Sequence, residues 1–185
     1  MSDIPSSDRV VDFVPKDISG HTFIDDLKRR RGGELLNLDR ILLHSPNFAS
    51  GWNHLFGTLR GNSLLVDSKY RELAICCIAV LNKAEYEFYQ HEQPWRNAGG
   101  TDEQVQAIRH ANTDLFDPSK FDDLELQVIK LTIEMTKNIE VPRDLMQALQ
   151  IALGDQALVE LVGVISGYNM VSRFLVALDI TAPDL

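Results

Sequence analysis

The chain has 185 residues, 44% of them hydrophobic and 24% charged, the balance of a folded globular protein rather than a disordered one. A formal net charge of −9 argues against nucleic acid or an anionic membrane as partner. The length suits one domain with a real core, no apolar run is expected to reach a membrane span, and the N-terminus shows no signal-like apolar stretch, so a cytoplasmic protein is expected.

Residues 1–20 read as an N-terminal arm, rich in Ser, Asp and Pro, with V-V-D-F-V its one apolar cluster. Such an arm is expected to be disordered or to lie across a neighbouring subunit. Residues 21–185 read as a single all-α domain. The first helix starts near Thr22, carries Phe23 and Leu27 on one face and stops at Gly32-Gly33. The run Lys28 to Arg31 gathers positive charge in its last turn, where the helix dipole favours cations. It reads as a solvated face, with an anion site or an acidic subunit contact as the other reading.

A short apolar helix follows over Leu36 to Leu43. Ser45 as N-cap and Pro46 at the first helical position then open a helix to about Arg60. Its stripe of Phe48, Trp52, Leu55, Phe56 and Leu59 is expected in the core or at a subunit interface, with Trp52 packing rather than serving as a substrate platform. His44 and His54 flank this helix and receive no role. Asp67 or Ser68 caps the next helix, Ser68 to Leu81, which is apolar nearly all round and should be buried. Cys76 and Cys77 sit inside it as adjacent core fillers, and neighbours bridge only under strain.

Glu72 interrupts that apolar helix. One reading is a first-turn acid satisfying the helix dipole, and the other is a buried carboxylate that needs a partner. The following helix opens on E-Y-E-F-Y-Q-H, Glu85 to His91, and is expected to kink or end near Gln93 because of Pro94. Glu87 and His91 are four residues apart and share a helix face. By spacing alone this is more often a surface ion pair than a site.

Farther on, Gly99 and Gly100 end the helix, and Thr101 with Gln104 forms a capping box for a helix from Asp102 to about Ala111. Residues 112–119 read as a loop. Asp122 with Glu125 opens a helix to about Asn138. Pro142 starts another that Gly154 closes, and Asp155 caps a long last helix to about Leu178. On this helix Tyr168 and Asn169 come within reach of the Glu–His face or simply pack in the core, and they are left unassigned. No segment shows β alternation, and no Walker loop, Rossmann glycine pattern or zinc set is present, so no cofactor is expected.

The succession R-E-L, Y-E-F-Y-Q-H, A-G-G-T resembles the carboxymuconolactone decarboxylase and AhpD-like superfamily over about Leu36 to Ile180. In the AhpD branch the second segment looks like C-x-x-C-x-x-x-H, with a glutamate fifteen residues before the second cysteine. Here Glu72 stands fifteen residues before Glu87, and His91 closes the motif, while the cysteine positions hold Ala84 and Glu87. That departure resembles the decarboxylase-like branch, where a Y-E-W-x-x-H type segment replaces the redox pair. The resemblance implies an AhpD-like all-α bundle of about seven to nine helices, assembled as a homo-oligomer, a trimer or hexamer.

It also implies Glu72, Glu87 and His91 as catalytic residues of a cofactor-free decarboxylase-like enzyme acting on a small carboxylated, lactone-like substrate. His91 would carry the proton or polarise a carbonyl, Glu87 would fix its tautomer, and a buried Glu72 would be a second acid or base. The alternative is an AhpD-like, peroxidase-related protein without redox cysteines. It would be a non-enzymatic oligomeric binding or accessory protein, or a metal-dependent variant with Glu72, Glu87 and His91 as ligands. Thiol peroxidase chemistry needs a thiolate and a resolving thiol, which positions 84 and 87 lack.

Overall fold

The computed structural model describes residues 10–20 and 22–181. Among these it contains eight α-helices and no strand. They are α1 (Thr22–Arg30), α2 (Asn37–Leu42), α3 (Pro46–Leu59), α4 (Ser68–Leu81), α5 (Glu85–Asn97), α6 (Asp102–Ile108), α7 (Asp123–Lys137) and α8 (Arg143–Ala177), with a 3-10 turn at Pro118–Lys120. The all-α architecture expected from the periodicity is the one observed.

The apolar character of α4 decides the layout. Leu73 through Ala79 are all buried, so the helix must be covered on every side, and α5, α7 and α8 pack around it. Asp67 caps it by accepting from the Lys69 N–H at 2.8 Å. Glu72 is the fifth residue of this helix, one turn in from the end. It therefore does not serve as a first-turn acid, and its partner lies elsewhere in the fold.

The two capping boxes form as expected. Thr101 Oγ1 accepts from the Gln104 N–H at 3.2 Å and Gln104 returns a bond to the Thr101 N–H at 3.1 Å. Asp122 and Glu125 do the same at 2.8 Å each way. Thr101→Ala should cost about 1 kcal/mol of stability, read from the midpoint of urea unfolding at unchanged slope. Ser45 holds the N-cap position of α3, but its side chain makes no capping bond.

Several expected boundaries move. Pro94 does not end α5, which runs on to Asn97. Proline deletes the donor to the carbonyl four residues back, but with so few helical residues left the local loss is small, and the Ala98 N–H still closes on the Pro94 carbonyl at 3.0 Å. The α6 helix stops at Ile108, short of Ala111. The break expected at Gly154 does form: its φ of +79° and ψ of 165° are non-helical, so α8 is two helices meeting at a kink there.

By length and composition α8 is apolar enough to cross a membrane, with a window of mean hydropathy 1.5, against the expectation that no run would be. Its inner face (Leu158, Leu161, Val164, Ile165, Tyr168) packs onto α4 and α7, as a bundle helix does.

The arm is also placed differently from expectation. Residues 10–20 lie along their own chain, and residues 1–9 fall outside those described. Val14 N–H donates to the Arg40 carbonyl at 3.3 Å, Arg40 Nε returns a bond to the Val14 carbonyl at 2.8 Å, and the Arg40 guanidinium lies 4.6 Å from the Phe13 ring centroid. Val11, Phe13 and Val14 of the V-V-D-F-V cluster thus pack against the core of their own chain, while Val10 stays exposed.

Candidate active site

Three helices bring the candidate residues to one cavity. Glu72 comes from α4, Glu87 and His91 from α5, and Tyr168, Val171 and Leu175 from α8. The cavity measures about 150 Å³. Leu36, Leu38 and Trp52 close its apolar side, and Arg31, Arg60 and Gln90 add polar groups.

The central contact is between Glu72 and His91. Glu72 Oε2 lies 2.7 Å from His91 Nδ1, with both side chains nearly enclosed. A carboxylate can only accept, so Nδ1 carries the hydrogen. In the neutral imidazole this leaves Nε2 as the ring nitrogen free to take a proton. The Tyr168 ring meets the imidazole edge-on, with centroids 5.0 Å apart and planes at 88°, and holds its tilt. Trp52 continues the wall as part of an aromatic cluster with Phe48, Phe56 and Phe174. It lines the cavity while packing in the core.

Glu87 takes a different place from the one its spacing suggests. The sequence casts it as the residue that fixes the tautomer of His91, but Glu72 holds that position. Glu87 is only 1% exposed, and its Oε2 accepts from Ser172 Oγ at 2.9 Å. Its Oε1 has no hydrogen-bond partner. Burial pushes the Glu87 carboxyl well above the usual carboxylate range, and the Ser172 hydroxyl offsets this only in part. Two carboxyl groups on one cavity therefore differ in kind: one bound to an imidazole, one buried with a single hydroxyl partner.

Ser172 was not legible as a site residue. The signal was there, since it stands four residues after Tyr168, a small polar side chain on an apolar helix face. Asn169, by contrast, turns away: its Oδ1 accepts from Asn82 Nδ2 at 3.1 Å and its Nδ2 donates to Thr136 Oγ1 at 3.0 Å. Nor is the basic run at the end of α1 simply a solvated face. Arg31 turns inward, and its Nε and Nη2 reach the two oxygens of fully buried Asp39 at 3.0 and 3.1 Å. Among the described residues no three His, Cys, Asp or Glu side chains form a metal-holding group, so Glu72, Glu87 and His91 do not converge as ligands.

Both cysteines are completely buried and unbridged. Burial raises the Cys76 thiol well above its ordinary value, with Glu72 and Glu87 adding to the effect, and pushes Cys77 up to about 12. Neither supplies a thiolate near neutral pH. Peroxide consumption with a dithiol reductant should be the same for the wild type and for a Cys76→Ala/Cys77→Ala variant. Turnover lost in the variant alone would show that a buried thiol does react.

Fold and site together define an all-α helical bundle whose cavity holds a carboxylate–imidazole pair. The chain is similar in structure to an uncharacterized peroxidase-related protein from Silicibacter sp. TM1040, with a TM-score of 0.80 over 97% of this chain and 94% of that one. Sequence identity is 14%, so the likeness is one of fold. No family model matches the sequence, and no curated protein matches it.

Proposed function

We propose that this protein is a cofactor-free acid–base enzyme of carboxymuconolactone decarboxylase-like type, acting on a small carboxylated, lactone-like substrate. The observation that carries the reading is the 2.7 Å Glu72–His91 contact opening on a cavity whose other carboxyl, Glu87, is buried. In the proposed reaction the bond to the departing CO2 breaks, and its electron pair moves into the neighbouring carbonyl as an enolate. The Glu87 carboxyl, kept neutral by burial, hydrogen-bonds the enolate oxygen. The protonated imidazole of His91 delivers a proton to the carbon and is reprotonated from water. Glu72 orients the ring throughout.

The test is release of CO2 from a panel of small carboxylated lactones by wild type and by Glu72→Gln. Turnover by the wild type, reduced in the variant without loss of fold, supports the reading. Equal rates in the two would remove it.

The working form is proposed to be a homo-oligomer, a trimer or hexamer. Large apolar side chains stay exposed on α3 (Phe48, Leu55) and α8 (Ile151, Val159), as an unfilled interface would leave them. Light scattering at micromolar concentration should give a multiple of 20.9 kDa, and a monomer mass would exclude it.

A further inference from the structure

Two arginines, Arg31 and Arg60, line the cavity in a chain of net charge −9, and Arg30 lies close enough to feel both charges. Their charges are handled differently. Arg31 is neutralised by Asp39 through two bonds. Arg30 is bound to the Asn53 side chain, and its guanidinium is held below its ordinary value by burial and by the charges of Arg31 and Arg60. Arg60 lines the cavity, is partly exposed, and spends only its Nε, which donates to the Phe56 carbonyl at 3.3 Å. Among the described residues no carboxylate pairs with it.

A guanidinium presents a planar fork that suits a carboxylate, and a fork left with two free terminal nitrogens beside an enclosed space has that capacity unused. Its field reaches the reacting end, since Arg60 and Arg31 both act on the Tyr168 hydroxyl, whose ring abuts His91.

We propose that Arg60 is the anion anchor of the cavity, taking the carboxylate of a small organic acid whose apolar body lies against Leu36, Leu38 and Trp52. This rests on the acid–base reading of the same cavity and adds its substrate-recognition residue. The anchored group is one that keeps its charge through the reaction. A guanidinium holding a carboxylate that leaves as neutral CO2 would stabilise the ground state more than the transition state.

The experiment is calorimetric titration with benzoate, with benzamide as a neutral isostere and inorganic phosphate as a compact anion. Benzoate should bind the wild type, more weakly as salt rises, and benzamide should not. Arg60→Gln should weaken benzoate binding by about ten- to a hundredfold, and Arg60→Lys should restore part of it. The readout is binding and not turnover, which separates this subsite from the chemistry at His91. Phosphate binding as tightly as benzoate would mean that general charge, not a carboxylate subsite, does the holding, and would overturn the proposal. So would benzoate affinity equal in wild type and Arg60→Gln, or no benzoate binding at all. Should Arg60→Gln not fold, the wild-type Arg60 Nε–H resonance decides: it shifts on benzoate addition if the anchor is right and stays in place if it is wrong.

Discussion

His91→Gln should lower decarboxylation by about 10²–10⁴-fold, the range for a positioned general acid–base group. The reasoning starts from Nδ1, which is committed to Glu72 Oε2 at 2.7 Å. Only Nε2 is then available to exchange a proton with a substrate, and glutamine has no group that titrates in its place. Glu72→Gln should reduce the rate by less, because the ring remains wedged against Tyr168 while its proton loses a charged acceptor. The measurement is kcat and KM for each variant with its thermal midpoint. If the pair is only structural, His91→Gln will lower the midpoint and leave kcat intact, and the acid–base role fails. A fall in kcat at an unchanged midpoint is the expected result.

The fold was legible where a local cause fixes it. Thr101 with Gln104 and Asp122 with Glu125 mark helix starts by side-chain chemistry that needs no tertiary partner, and both boxes form. Burial of α4 followed from its lack of any polar face. What failed depended on neighbours. Whether Pro94 ends α5 depends on how little helix remains beyond it, and on packing that keeps Trp95 fully buried, with Gly100 so close that a Cβ there would meet the indole at 2.6 Å. The course of the arm depended on Arg40 bonding back to Val14, a contact between distant positions that periodicity does not encode.

At the site, spacing placed Glu87 and His91 on one helix and family resemblance added Glu72 as a third member. Spacing then assigned the wrong partner. Residues four apart on a helix can meet, but the geometry lets a carboxylate on the preceding helix compete, and Glu72 occupies the imidazole while Glu87 points to Ser172. Ser172 lies 85 residues from Glu87, so no local pattern joins them. Arg31 and Arg60 were hidden for the same reason. One belongs to a basic run that resembles helix-end decoration, and the other follows α3, yet the fold lines one cavity with both.

Glu87→Gln should change how stability depends on pH. Burial raises the Glu87 carboxyl in the folded chain, whereas in the unfolded chain it titrates near its ordinary value of about 4.3. Between those two values the folded state keeps a proton that the unfolded state has released. Stability supplied by this group is therefore fully present below about pH 4.3 and is lost as pH rises through the folded value, by up to about 1.4 kcal/mol for each pH unit. Glutamine cannot ionise, so the variant lacks that slope. Its amide leaves one donor where Oε1 now has no partner, a cost of about 1–3 kcal/mol that does not vary with pH. Relative to wild type, the variant should thus be less stable near pH 4 and gain as pH rises above about 4.3 toward the raised folded value. Urea unfolding of both proteins at several pH values measures the difference directly. Parallel curves across that window would mean that Glu87 ionises as an ordinary carboxylate, and the neutral hydrogen-bond donor assigned to it would be lost.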